Sequence, residues 1–104
     1  MESKNYELVL CIVNAGFSDE IMKVAKEAGA KGGTVIRGRG TANPDAEEKF
    51  HIVVQPDKEI VLIVVQENIK DDVLTAIYTN AGLETPSQGI AFSVPVTRAV
   101  GMND

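Results

Sequence analysis

The chain is 104 residues long, which suits a single domain with one modest hydrophobic core. Its net charge of −5 argues against nonspecific binding of nucleic acid, which requires a basic surface to displace counterions from phosphates. The one cysteine, Cys11, leaves no partner for an internal disulfide, and no apolar run approaches the ~20 residues that a membrane-spanning helix needs. We therefore expect one domain over residues 1–104, a cytoplasmic location without a signal peptide, and no nucleic-acid partner.

The first half of the sequence predicts a strand, a helix and a second strand. An apolar, β-branched run at 6–13 is typical of a strand, and Ser18 is a candidate N-cap for the helix that follows. The predicted buried face of this helix has residues at i, i+3, i+4 and i+7, namely Ile21, Val24, Ala25 and Ala28. Gly29 is a typical helix end, and the segment 34–37 predicts the second strand.

The second half of the sequence repeats this order. The segment 58–66 predicts a third strand, Asn68 is a candidate cap for a second helix, and 90–96 predicts a fourth strand. Apolar residues again recur with helical spacing, here Val73, Leu74, Ile77 and Ala81. Two βαβ halves in tandem indicate an α+β, ferredoxin-like βαββαβ fold, with a four-stranded antiparallel sheet and two helices on one face.

The central strands of such a sheet are apolar on both faces in this sequence. Two alternating sets share the first strand, Leu8, Leu10 and Ile12 on one face and Val9, Cys11 and Val13 on the other. Two helices cover only one face, so the second apolar face needs another cover, and self-association is the simplest one. Pro95 predicts that the fourth strand lies at an edge of the sheet, where a missing N–H costs least.

A segment rich in glycine and arginine, at 32–41, is the most informative candidate site. Glycine permits close backbone approach, so that amide groups can point at an anion. Two arginines at alternate positions, Arg37 and Arg39, share one side of an extended chain and can bind phosphate or carboxylate groups. The segment fits equally well the plain alternative of a strand end with solvated arginines. Its glycine spacing does not match a dinucleotide fingerprint.

The other polar segments offer fewer candidates. The segment 84–89 is the counterpart of the first glycine turn, and Arg98 follows the last predicted strand. The polar segment 41–50 is predicted to be either a short helix or a solvated connection, after which Phe50, Ile52 and Val54 return the chain to the sheet. His51 is the only histidine and Cys11 lies mid-strand, so we expect no metal site within one chain and no enzymatic activity.

Three stretches of the sequence are similar to the PII signalling family, and closest to a divergent branch of PII-like nitrogen regulators. They are 13–18, 29–40 with its Gly-Thr-Val and Gly-x-Gly motifs, and 88–96 with its Phe-x-x-Pro-Val strand. The resemblance implies a homotrimer that binds a small anionic effector, an adenine nucleotide, in clefts between subunits. It also implies that the 41–55 loop docks on a partner, commonly a transporter or an enzyme of nitrogen metabolism.

Residues and resemblance together give the candidate ligand contacts Thr34, Arg37, Gly38, Arg39, Gly40, Gln88, Gly89 and Arg98. Some positions depart from the family pattern. Its phosphate-binding lysine is Ile90 here, and a glycine before it is Ser87. Its C-terminal arginine pair is replaced by Gly101 and Asn103. The three arginines among the candidates can supply the missing positive charge.

Two other functions stay open. A trimeric adaptor of the copper-tolerance type, either ligand-independent or ion-responsive, would account for the missing phosphate-binding residues. An acylphosphatase-like enzyme shares the βαββαβ order. Its phosphate cradle, however, needs an arginine between the first strand and the first helix, and the segment 14–18 has no basic residue.

Overall fold

The computed structural model of the chain describes residues 5–41, 56–82 and 84–102. The elements of these ranges are β1 (Tyr6–Asn14), α1 (Ser18–Glu27), β2 (Thr34–Arg39), β3 (Asp57–Gln66), a 3-10 turn (Glu67–Ile69), α2 (Lys70–Ala81) and β4 (Ile90–Val96). The predicted βαββαβ order is confirmed, and the predicted strand bounds agree with the observed ones to within two residues.

The four strands form one antiparallel sheet in the order β2-β3-β1-β4. Leu10, at the middle of β1, lies opposite Leu62 of β3 on one side and opposite Phe92 of β4 on the other. Strands β1 and β3 are therefore central, and β2 and β4 form the edges. Pro95 lies opposite Glu7 on the edge strand β4, as its missing amide predicts.

The two helices cover one face of the sheet and bury it. The central strands point six side chains toward the helices, each at most 3% exposed: Val9, Cys11, Val13, Val61, Ile63 and Val65. The helices contribute the other half of this aliphatic core, chiefly Ile21, Ala25, Val73 and Ile77. Removing this apolar surface from water is the main favourable contribution to folding.

The opposite face of the sheet carries no helix from the described residues and is apolar, as predicted. Its central side chains are partly buried by their neighbours: Leu8, Leu10, Ile12, Ile60 and Leu62. Further apolar side chains are exposed on this face: Ile36, Val64, Ile90, Phe92 and Val94. We call this surface the open face. Its extent is unusual for a protein surface that stays in contact with water.

Neither helix begins with the side-chain cap that the sequence predicted. Ser18 is the first residue of α1, and the cap position is Phe17, which makes no side-chain cap bond. Asn68 lies in the 3-10 turn before α2, whose cap position is Ile69. Both cap predictions are therefore wrong. Gly29, in contrast, follows α1 with φ +114°, in the left-handed region that favours glycine, so this predicted helix end is confirmed.

The hairpin of β2 and β3 holds together the two ends of the 41–55 loop. The amide of Gly40 donates a hydrogen bond of 2.7 Å to the carbonyl oxygen of Pro56 at the base of this loop. The predicted short helix within the loop, and His51, lie outside the described residues. In the part of the chain that the structure describes, no helix is long and apolar enough to cross a bilayer.

Candidate functional site

A cleft lies beside β3, where β2 stops short of the end of its neighbour. Strand β2 has 6 residues and β3 has 10, and their pairing ends with Thr34 opposite Leu62. No residue of β2 therefore lies opposite Val64 or Gln66. The cavity formed there has a volume of about 340 Å³. Its walls are the chain from Ala30 to Thr34, the end of β3, Tyr6 and Met102.

Backbone groups at the end of β3 point into this cleft. The amide of Glu67 donates a hydrogen bond of 3.0 Å to the carbonyl oxygen of Asn5, which lies on the β1 side. Backbone groups of successive strand residues point alternately to the two sides. The odd-numbered residues of β3 therefore pair with β1, and the N–H and C=O groups of Val64 and Gln66 point to the side that β2 leaves open.

The turn before β2 packs tightly against β3 and forms one wall of the cleft. A Cβ added to Gly33 would lie 2.8 Å from the carbonyl oxygen of Leu62 and 2.9 Å from Sδ of Met22. Only glycine allows the backbone to approach this closely. Lys31, two residues earlier, is exposed and lines the same cavity. The cleft thus combines an open strand edge with one cationic side chain, that of Lys31.

A second candidate region lies at the other end of the sheet, and its glycine amides already have partners. The amide of Gly40 closes the loop base, as described above. The amide of Gln88 donates to the carbonyl of Thr85 (2.9 Å), and that of Gly89 donates to the carbonyl of Ala81 (2.8 Å). These three amides are not free to bind an anion in this structure. A ligand contact in these segments has to use side chains or carbonyl groups.

Arg37 and Arg39 share one face of β2, as predicted, and both are exposed. Arg37 lies opposite Glu59 of β3. The Glu59 carboxylate accepts hydrogen bonds from the amides of Gly16 (2.8 Å) and Ser18 (3.2 Å) at the start of α1. The Gly16 bond most of all, then the Ser18 bonds and the charge of Arg37, lower the pKa of Glu59 against the opposing effect of partial burial.

The structure divides the predicted ligand contacts into two groups. Thr34 lines the cleft, and Arg98 follows β4 shortly before Met102, which also lines it. The segments 37–40 and 88–89 lie toward the other end of the sheet, on its opposite edges. These two edges are three inter-strand spacings apart, a distance of roughly 14 Å. A single subunit therefore does not bring the eight predicted residues together.

Sequence reasoning missed the open edge of β3 and three polar residues near the loop base: Asn14, Lys58 and Glu59. The glycine pair at 32–33 did signal a close backbone approach. The open edge, however, results from the register that pairs Thr34 with Leu62, and the sequence does not specify this register across the long connection between β2 and β3. Asn14 is a lone polar residue at a strand end, and nothing in its neighbours along the chain identifies its partners.

Among the residues that the structure describes, no three His, Cys, Asp or Glu side chains are grouped so that they could hold a metal ion. Cys11 is fully buried, and this burial raises the pKa of its thiol to about 11. A thiol of this kind is a poor nucleophile near neutral pH. The described surface is suited to binding a ligand through backbone groups and cationic side chains.

Comparison with known proteins yields a family match and a shared fold. A family model described as nitrogen regulatory protein P-II matches residues 6–103. No curated protein matches the chain. Among solved structures, a PII-like signalling protein from Thermus thermophilus superposes with a TM-score of 0.69 at 18% sequence identity, covering 92% of this chain and 90% of that one.

Two further solved structures share the fold. Arabidopsis thaliana PII bound to citrate superposes with a TM-score of 0.66 at 22% identity, covering 90% of this chain and 77% of that one. A Bacillus cereus protein related to NIF3 gives a TM-score of 0.70 at 16% identity. The match covers 94% of this chain and 27% of that protein, so the same fold is part of a much longer chain there.

Proposed function

Because the chain belongs to the nitrogen regulatory protein P-II family, we propose that it is a cytoplasmic, homotrimeric signalling protein whose effector is an adenine nucleotide bound in the cleft beside β3. The observation that carries this proposal is the open edge of β3, where the backbone groups of Val64 and Gln66 point into the cleft. The effector controls a partner protein through the 41–55 loop.

Adenine matches the open edge of β3 in its hydrogen-bonding groups. The amino group of the base is a donor, and the neighbouring ring nitrogen is an acceptor. The carbonyl of Val64 accepts, the amide of Gln66 donates, and the two groups follow one another on the same side of the strand. A base held in this way takes the place of the missing strand. Leu62 and Met102 add apolar surface for the faces of the ring.

The phosphates of the nucleotide require positive charge, and cationic side chains lie along their path. Lys31 lines the cleft, and Arg98 lies near the same end of the sheet. Arg37 and Arg39 follow along β2, both exposed. We assign to these side chains the role of the family's phosphate-binding lysine, because the apolar Ile90 stands at that position here.

The remaining candidates are divided between two subunits in this proposal. Thr34, at the start of β2, lines the cleft, whereas Gly38 and Gly40 lie near the loop base at the other end of β2. Gln88 and Gly89 lie on the opposite edge of the same subunit. Since they cannot reach the cleft of their own subunit, they contact the effector that is bound to a neighbouring one.

The open face supports self-association. Its exposed apolar residues include Phe92 (44% exposed) and Ile90 (56% exposed). Contiguous apolar surface of this kind favours burial against a partner, and identical subunits provide a self-complementary one. A trimer in which the open faces meet at the centre leaves the helices outside and places one edge of each sheet near its neighbour.

Regulation requires that effector binding changes the 41–55 loop. Both ends of this loop are held by the bond between Gly40 and Pro56 (2.7 Å). An effector whose phosphates reach Arg39 acts next to Gly40 and therefore close to the loop base. The effector shifts the loop from one conformation to another only to the extent that it binds the two conformations with different affinities. We propose a membrane transporter or an enzyme of nitrogen metabolism as the class of target.

The test is calorimetric titration of the purified protein with ATP, ADP, AMP, GTP and citrate. Gln66→Pro removes the amide that faces the cleft together with the side chain, and it fits the backbone because Gln66 already has φ −68°, which proline adopts. We expect the affinity for ATP to fall about tenfold in this variant. Gln66→Ala keeps the amide and is the matched control, with an affinity close to that of the wild type.

Two outcomes count against the proposal in different ways. If the proline and alanine variants bind ATP with equal affinity, the nucleotide does not bind at the edge of β3. If the wild-type trimer binds none of the nucleotides, the effector proposal is wrong and the ligand-independent adaptor becomes the better explanation.

A further inference from the structure

Asn14, the last residue of β1, connects two segments that are distant in sequence. Its side-chain NH₂ donates to the carbonyl of Pro86 (2.9 Å), and its backbone amide donates to the carbonyl of Ser87 (2.9 Å). Its side-chain oxygen accepts a hydrogen bond from the ammonium of Lys58 (2.7 Å). Asn14 is 8% exposed, so water does not readily replace a lost partner.

Lys58 belongs to the base of the 41–55 loop. It lies opposite Gly38 of β2. Its side chain passes beside Gly40, where an added Cβ would lie 3.0 Å from Cε of Lys58. Gly40 in turn bonds to Pro56 across the loop base. A movement of this base therefore displaces the ammonium group that Asn14 binds.

The carboxamide of Asn14 makes its two side-chain contacts interdependent. Its oxygen faces a donor on Lys58, and its NH₂ faces an acceptor on Pro86. The carboxamide is planar, so it cannot turn toward one partner without weakening the contact with the other. A reversed amide would place NH₂ against the ammonium and the oxygen against a carbonyl, which satisfies neither group. One orientation alone therefore satisfies both partners.

We infer that Asn14 is a positioning residue that couples the base of the 41–55 loop to the turn at 84–88. These segments lie on opposite edges of the sheet, and no strand joins them directly. A partner or ligand that holds the loop base in one arrangement then also holds the turn. The inference goes beyond the effector proposed above. It describes a property of the ligand-free subunit and is measured without any nucleotide.

Hydrogen–deuterium exchange of the ligand-free protein tests this coupling. Lys58→Met removes the ammonium but keeps a chain of similar length beside Gly40. The reporters are the amides of Thr85 and Gln88, which donate within the turn to the carbonyl groups of Gly82 and Thr85. We expect the exchange of these two backbone amides to become about threefold faster or more, because Lys58 then no longer holds the side-chain carboxamide of Asn14 in place.

A second variant tests whether one route links the two segments. Asn14→Ala removes both side-chain contacts, so exchange in the turn also rises. If Lys58 acts on the turn through Asn14, the double variant with Lys58→Met exchanges no faster in the turn than Asn14→Ala alone.

The controls distinguish this coupling from general destabilisation. Lys70→Met removes another lysine contact, to Glu7 (3.7 Å), at the opposite end of the sheet, and should leave the turn unchanged. The amide of Ala28, at the end of α1, reports overall opening. Wild-type exchange of the turn in Lys58→Met, an equal rise at Ala28, or additive effects in the double variant would each overturn the inference.

Discussion

The amide of Gly89 donates a hydrogen bond of 2.8 Å to the carbonyl oxygen of Ala81, the last residue of α2. A Cβ added to Gly89 would overlap this oxygen, and it would lie 3.1 Å from Cγ1 of Val13. Strand β4 therefore starts against the end of α2 at a distance that only glycine allows.

Gly89→Ala is expected to destabilise the fold, because the helix end and the strand start must move apart. Overpacking of this kind costs about 1–3 kcal/mol, which lowers the melting temperature by roughly 5–20 °C. Gly32→Ala is the matched control, since a Cβ there would have no atom within 4 Å. Thermal unfolding followed by circular dichroism measures both, and equal melting temperatures would contradict the packing argument.

Glu59→Gln is expected to lose stability at neutral pH and to match the wild type in acid. The amides of Gly16 and Ser18 and the charge of Arg37 lower the pKa of this carboxyl from its ordinary 4.5. Its contribution is therefore complete above pH 4.5 and is lost as the pH falls through the lowered value. We expect a difference of about 0.5–1 kcal/mol at pH 7, since solvent screens the site.

Urea unfolding at a series of pH values measures this difference between the wild type and Glu59→Gln. A difference that stays constant from neutral pH into acid would show that Glu59 acts through packing rather than through its charge.

Cys11 is expected to resist thiol reagents in the folded protein. Burial raises its pKa from 9.0 to about 11, so roughly a hundredfold less thiolate is present at pH 8. Its position in the core further blocks the approach of a reagent. The rate of reaction with a disulfide reagent, with and without urea, measures this protection. Equal rates in the two conditions would show that β1 opens easily.

Phe92→Glu is expected to convert the proposed trimer to a monomer, because it places a charge on the apolar open face. Tyr78→Glu is the control, since Tyr78 is 77% exposed on α2, on the other side of the sheet. Light scattering after size-exclusion chromatography gives the mass of each variant. A Phe92→Glu protein that remains trimeric would mean that the subunits associate through another surface.

Arg39→Met is expected to weaken ATP binding about tenfold and to leave AMP binding unchanged. Arg39 lies five residues after Thr34 along β2, a distance of roughly 17 Å in an extended strand. At that distance an arginine reaches the terminal phosphates and not the base. Lys23→Met, on the exposed side of α1, is the control for loss of one positive charge. Wild-type ATP affinity in Arg39→Met would remove this arginine from the site.

The fold could be predicted because its main signals are local in sequence. The continuous apolar run at 6–13 indicates a strand that is buried on both faces, and Gly29 indicates the end of α1 without any knowledge of the rest of the chain. The cap of α1 could not be predicted in this way. The carboxylate that accepts a hydrogen bond from the amide of Ser18 belongs to Glu59, 41 residues further along the chain. Only the folded sheet places this carboxylate at the start of α1.

The candidate site could be predicted in part for a similar reason. Glycine signals a close approach but not the atom that is approached. At Gly89 the neighbour is the carbonyl of Ala81, and at Gly33 it is the carbonyl of Leu62. The segment at 32–41 was predicted to approach an anion, and this stays a prediction, whereas the cleft itself depends on the register between β2 and β3.

Pro95 has a consequence for how this protein behaves at high concentration. The backbone amide of Asn14 points toward the β4 side of β1, so the backbone groups of even-numbered β1 residues face β4 and those of odd-numbered residues face β3. Pro95 lies opposite Glu7, an odd-numbered residue, and its nitrogen therefore points away from β1, toward the outside of the sheet. A foreign strand that pairs along this edge finds no donor there and cannot extend a regular ladder. The other edge carries Arg37 and Arg39, whose charges repel a second copy of themselves. Both borders of the sheet therefore resist growth into fibrils.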